Sequence, residues 1–502
     1  MAEQPALPAW HAERYRRLSE DRPGLVTLIE ATTPDSRDRA VDALRALAIL
    51  GVVLGHWLVT ALVDTGGTLH TASPLASMPA LTPITWLFQT LAIFFLVGGH
   101  TAARSYTGSL TRTVDGYEAR GRRSGVYRAW FGRRLVRLVM PVPVLLAVWA
   151  AAVPLMILAG YPRETIFALI NLVLDPLWFL LVFIGLTALT PVIVRAVGRW
   201  GAWSAAVPVA ITATVDLARF ALDAPQWIAW ITVASAWLVP FTLGAAWAQG
   251  SFGSRHTGSA PSSTHHHRHR LTPRAFRSHP DTRLEGGRVA SGRHAEERSH
   301  RRPVLAPERR RPTGWLREHR AALGLLIGGG VATVALIVFG GYPASMVGVP
   351  GQAVSNLSPP TLASVAFGLA QCGGALLLRG PLTRLMRRPV LWAGTALLNL
   401  SAMTVFLWHQ SALMGVSALV TRITGTVPGL LDAPDRPGWV AHRLTWIPVF
   451  AAVLAGLWSL AHRLERRIRA QPMSRPAHLT KKADDPEGAF GTRRTTTGCA
   501  EH

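Results

Sequence analysis

Two ionisable residues, Arg45 and His56, stand inside the first long apolar run of the 502-residue chain, 41–63. A neutral imidazole takes a proton from an alcohol and returns it, since its ordinary pKa is about 6.5. A guanidinium holds a phosphate or pyrophosphate, or balances charge in a buried site. The two residues are eleven positions apart. On a helix that spacing brings them to nearly one face, about 16 Å apart along the axis. Asp42 lies three residues before Arg45 and faces it on the same helix. Arginine at the centre of a membrane helix costs on the order of 2.5–3.5 kcal/mol, so the pattern points to a polar site among helices. It also suits a snorkelling arginine plus a histidine bonded to another helix, and spacing alone leaves both readings open. His409 is a second histidine inside an apolar run, either a site residue or one hydrogen-bonded across a helix bundle.

The elements that must carry these residues are long and apolar. Ten runs stand out: 41–63, 82–99, 140–160, 177–197, 202–219, 226–248, 321–341, 360–379, 393–419 and 445–462. About 20 apolar residues of helix cross a bilayer, and lipid admits only helices or closed barrels. The runs are too long and too uniformly apolar for barrel strands. The expected fold is all-α: a polytopic bundle of about ten transmembrane helices in the plasma membrane.

The connectors alternate in charge. Segment 100–139 holds nine arginines, 161–176 only Arg163, and 342–359 no charge at all. Every second connector is arginine-rich, which is the positive-inside pattern, and it predicts that both termini are cytoplasmic. Anionic lipid headgroups account for the net charge of +24, so nucleic acid is not an expected partner. The predicted organisation is a cytoplasmic lead (1–40), six helices (41–250), a basic insertion (251–319), four helices (320–463) and a cytoplasmic tail (464–502). The insertion holds 15 arginines, six acidic residues and nine of the 18 histidines, a composition that predicts disorder. Its histidine cluster lacks cysteine or carboxylate at metal-ligand spacing, so no metal is expected. Cys372 and Cys499 are the only cysteines and imply no disulfide framework. Asp216 and Arg219, three apart near the outer end of the fifth run, suit a pair at the outer membrane interface with no catalytic part.

The stretch RDRAVDALRALAILGVVLGHW resembles the first helix of the integral-membrane acyltransferase-3 family, whose signature is an arginine, ten residues and a histidine. Further segments resemble the family in order: LAIFFLVGGHTAARSY (91–106), RRLVRLVMPVPVLL (133–146), DPLWFLLVFIGLTALTP (175–191) and NLSAMTVFLWHQSAL (399–413). The resemblance covers 37–463 except the insertion. One departure is Gly98-Gly99 followed by His100, where many members carry a serine before the small glycine. His100 is therefore an added candidate, or an interface histidine. Trp178 is either a cavity-lining residue or an interfacial belt tryptophan.

The resemblance implies transfer of an acyl group, acetyl in size, from acyl-CoA to a hydroxyl of a carbohydrate, lipid-linked or small-molecule acceptor. No bound cofactor is implied; acyl-CoA is the donor substrate. His56 would act as general base or acyl carrier. Arg45, with Arg134 and Arg137, would hold the donor phosphates or position His56, and Asp42, His409, Trp178 and His100 would complete the substrate sites. A transporter that uses intramembrane arginine and histidine is the other reading of the same residues.

Overall fold

The computed structural model describes residues 24–114, 122–252, 312–352, 354–425 and 427–470. The described chain is helical apart from one hairpin. In order it forms α1 (Leu25–Thr32), α2 (Arg39–Val59), β1 (Ala61–Thr65), β2 (Thr68–Ala72), α3 (Leu91–Val114), α4 (Arg122–Val139), α5 (Val142–Leu158), α6 (Arg163–Ala188), α7 (Thr190–Trp200), α8 (Ala206–Ala221), α9 (Trp230–Ala248), α10 (Pro312–Phe339), α11 (Leu362–Leu385), α12 (Pro389–Thr424) and α13 (Pro437–Ala470). Nine helical segments among the described residues are long and apolar enough to cross a membrane. The fold is an all-α polytopic bundle.

The run expected to span at 82–99 is the one without such a helix. A short helical turn covers Thr82–Thr85, and α3 starts only at Leu91. The non-helical backbone between them is held by neighbours. Thr90 donates its hydroxyl to the Ala48 carbonyl at 2.7 Å, and Gln371 donates to the Gln89 carbonyl. Irregular backbone at membrane depth is stable only where protein or a water-filled cavity receives its polar groups. Two other boundaries also differ from the sequence reading. Run 177–197 is interrupted at Leu189, where Pro191 enters α7 in its first turn, because proline has no N–H to donate to the carbonyl four residues back and its ring crowds that carbonyl. Run 41–63 leaves the helix at Val59. Residues Ala61–Thr65 instead pair with Thr68–Ala72 around Gly66 and Gly67, both at positive φ, as a tight two-residue hairpin turn requires.

Small residues let the helices meet, since apolar burial alone gives little preference for protein over lipid. A Cβ on Gly99 would strike the Phe241 carbonyl, and one on Gly244 the Leu96 carbonyl, so α3 and α9 approach backbone to backbone. Gly373 of α11 lies against Ala322 and Leu326 of α10 in the same way. The core between α3, α6, α9 and α12 is aromatic: Phe95 stacks on Trp237 at 5.1 Å, and Phe179 meets Phe406 at 5.0 Å. Buried Cys372 is a free thiol. Helices α1 and α2 begin within the predicted 1–40 lead, and α10 begins within the predicted 251–319 insertion. The rest of that insertion (251–252 and 312–319 apart) lies outside the described residues, as do 1–23 and the tail from 471.

Candidate active site

Helix α2 begins at an N-cap, Asp38, whose carboxylate accepts from the Val41 amide. It leans on the broken 86–90 segment through Gly51 and Gly55, where a Cβ would press on Thr90 and Phe88. This contact brings the last turn of α2, with His56, beside the middle of α12, with His409. His56 Nδ1 and His409 Nε2 are 2.8 Å apart, and the ring planes lie within 16° of each other. His409 is fully buried, and its Nδ1 lies 2.6 Å from the Phe406 carbonyl.

This geometry fixes the tautomers. A carbonyl only accepts, so His409 Nδ1 carries the hydrogen and its Nε2 in the neutral ring holds a lone pair. His56 Nδ1 then donates to that lone pair. The second nitrogen of His56, Nε2, is left as an acceptor, and His56 lines a cavity of about 410 Å³. The chain Phe406–His409–His56 therefore presents one basic nitrogen, in the manner of a base oriented by a partner behind it.

The end of α2 is pinned independently. Arg443 of α13 is completely buried. Its Nε donates to the Trp57 carbonyl at 2.8 Å, one terminal nitrogen to the Gly429 carbonyl at 2.7 Å, and the other to the Thr60 carbonyl at 2.5 Å. Carbonyls at a helix C-terminus lack helical donors and carry the negative end of the helix dipole, so a guanidinium satisfies both needs. Trp57 in turn donates its indole N–H to the His409 carbonyl at 2.9 Å. Arg443 and Trp57 thus hold the last turn of α2 in place, and His409 holds the His56 ring.

The cavity lies between α2, the hairpin, the 86–90 segment, α6, the 347–358 loop and α12. Trp178 and Asp175 of α6 and Gln410 of α12 line it. Its loop wall is anchored by Asp216 of α8, whose carboxylate accepts from the Tyr342 hydroxyl at 3.0 Å and from the Leu362 amide at 2.6 Å. Burial, and then the Asp216 charge, push the Tyr342 hydroxyl's pKa above its ordinary range, which keeps it protonated and donating. Arg219 lies 3.6 Å from Asp216, so that pair is a structural anchor.

The other sequence-derived residues gather at the opposite end of α2. Arg45 sits 3.6 Å from Asp42, which also binds Arg37 at 2.6 Å. Arg134 and Arg137 stand one turn apart on α4. Arg134 donates to Ser105 Oγ at 2.6 Å and lies over the Trp130 ring at 5.4 Å. His100 is 6% exposed, packs on Trp247 at 4.2 Å, and has no hydrogen bond at either ring nitrogen among the described residues. Arg379 also lies over the Trp247 ring at 5.5 Å and pairs with Asp38 at 2.9 Å. The structure therefore brings His56, His409 and Trp178 to one site, and Arg45, Asp42, Arg134, Arg137 and His100 to another. Arg45 does not line the cavity, so it and His56 share a helix face without sharing a pocket. Among the described residues no group of three or more histidine, cysteine or acidic side chains is placed to hold a metal.

Sequence reasoning missed Arg443, Asp175 and Gln410. Arg443 carried a signal: a lone arginine at the start of an apolar run, with Trp439 and Trp446 at i−4 and i+3 on its face. Asp175 is the acidic residue nearest the middle of α6.

The sequence model of a family described as an acyltransferase domain matches residues 38–462. None of the curated proteins and none of the solved structures compared with the chain matches it. The chain belongs to the acyltransferase-3 family and is a multi-pass membrane acyltransferase.

Proposed function

We propose that this acyltransferase moves an acyl group, acetyl in size, from acyl-CoA to a hydroxyl of a carbohydrate, lipid-linked or small-molecule acceptor at the plasma membrane. The observation that carries this reading is the Phe406–His409–His56 chain, which ends on a basic nitrogen at a cavity. In the reaction the acceptor oxygen attacks the thioester carbonyl carbon while His56 Nε2 takes the hydroxyl proton. The C–S bond then breaks, and the same proton passes to the departing thiolate, so the products are an ester and CoA thiol. His409 supports the positive charge that forms on His56 by accepting the Nδ1–H throughout.

Arg45, Arg134 and Arg137 suit the donor's phosphates, which guanidinium groups bind with charge-assisted hydrogen bonds. His100, buried beside them with no hydrogen-bond partner among the described residues, completes that polar end. We place this end on the cytoplasmic side, where CoA esters are made, and the cavity towards the other leaflet. About 16 Å of helix separates Arg45 from His56. An arm reaching from one to the other would carry the acyl group inward while burial keeps water from the thioester.

The test uses the purified full chain in lipid nanodiscs with radiolabelled acetyl-CoA and an extract of cell-envelope and secreted metabolites as acceptor source. Label transferred to a product heavier by one acyl unit, and lost in His56→Ala, supports the reading. Uptake of a solute by proteoliposomes with no release of CoA would favour transport instead.

A further inference from the structure

Helix α6 presents three side chains to the cavity that no step above uses: Asn171, Asp175 and Trp178. They stand at i, i+4 and i+7, which on a helix is one stripe. Neither Asn171 nor Asp175 makes a side-chain hydrogen bond or ion pair with another described residue, and both are exposed to the cavity they line. Pro176, inside α6, has no N–H, so the carbonyl of Leu172 on the same wall loses its helical donor. The stripe therefore offers a carboxyl group and an orphan carbonyl, both hydrogen-bond acceptors, beside an amide that both accepts and donates. An indole face lies beside them. Among the described lining residues there is no lysine or arginine. The arginines are at the other end of α2.

Resting on the acyl-transfer reading, we infer that the acceptor is a small molecule or headgroup rich in hydroxyl or ammonium donors and free of phosphate or carboxylate where it enters this cavity. The Asn171–Asp175–Trp178 stripe holds it against His56. Asp175 and the Leu172 carbonyl receive its donors, and Trp178 covers the apolar face of its ring. An anionic acceptor would leave water without a cation to meet it, at a cost of several kcal/mol. The two substrates are thus sorted by charge: the anionic donor binds at the arginines, and the acceptor, rich in donors, binds at Asp175.

The experiment sorts the metabolite extract by ion exchange into an anionic fraction and a neutral-plus-cationic fraction. Each is offered with radiolabelled acetyl-CoA to the purified chain. Label entering the neutral-plus-cationic fraction is expected, and label entering only the anionic fraction overturns the inference. On the labelled fraction, Asp175→Asn should raise the apparent KM for acceptor roughly 10- to 100-fold, the worth of a charge-assisted hydrogen bond, with the KM for acetyl-CoA unchanged. Asp175→Lys should abolish transfer to that fraction. An acceptor KM that stays at the wild-type value in both variants also overturns it. Transfer into neither fraction, with no CoA released, sinks the acyl-transfer reading itself, which separates the two failures.

Discussion

Both ends of α2 gather histidine and arginine, yet they solve opposite electrostatic problems. At the arginine end, Arg37, Arg45 and Arg379 share two carboxylates, Asp38 and Asp42, Arg134 bonds only neutral oxygens among the described residues, and His100 has no hydrogen-bond partner among the described residues. Positive charge there is in excess. At the cavity end, Arg443 is surrounded by carbonyls, and His56 and His409 are linked in one direction from a backbone carbonyl outward. There the Arg443 guanidinium is satisfied by carbonyl dipoles and the polarity of the histidine pair is aimed. The difference teaches that clustered cations leave a site open to an anion, whereas a histidine pair backed by a carbonyl holds one tautomer.

Substitutions can break or sharpen that contrast. The largest effect is expected for His56→Ala, which removes the proposed base. Turnover should fall by about 10²- to 10⁴-fold while the Kd of CoA, read by isothermal titration, stays put. A variant retaining wild-type turnover would remove the cavity end from the chemistry. His409→Ala should follow with a loss of about 10- to 100-fold in turnover, typical of a residue that orients another. Nitrogen NMR of labelled histidine should then show His56 in both tautomers; a single unchanged tautomer would deny His409 its part. The double change Arg134→Ala with Arg137→Ala should raise the KM for acetyl-CoA by roughly tenfold, as expected for lost charge-assisted contacts, and leave the acceptor KM alone. If both Michaelis constants rise together, the division of labour between the ends is wrong. The smallest effect belongs to Tyr342→Phe, which removes one hydrogen bond to Asp216, worth about 1 kcal/mol. Thermal unfolding in detergent should show a modest drop with the donor KM unaltered, because this anchor touches only the cavity's loop wall.

The contrast also shows how far residue types alone could be read. Arg45 and His56 announced themselves because ionisable groups inside apolar runs are rare and costly. His409 did so for the same reason. Arg443 and Asp175 are of equally costly types, but each stands near the edge of a run, where hydropathy does not single it out. The hairpin at 61–72 was hidden because β1 continues the apolar run of α2 without a break in composition. Only the Gly66-Gly67 turn marked it. The expected span at 82–99 went the same way: composition averages over a helix break that Thr90 and Gln89 sustain through contacts with α2 and α11.

The linear chain by itself determined that this is a helical membrane protein, because runs of about 20 apolar residues have no other stable use. It also determined, through ordered motifs, the family to which the chain belongs. Only tertiary structure decided which polar residues meet. Helical phase places Arg45 and His56 on one face, but whether a hollow connects them depends on what packs against that face. Here the 86–90 segment and α12 close around His56 and leave Arg45 to a separate cluster. The tautomer of His56 was likewise beyond reach of any spacing rule, since it is set by a carbonyl 350 residues further along the chain. Local periodicity fixes direction around one helix; contact between helices is a property of the whole bundle.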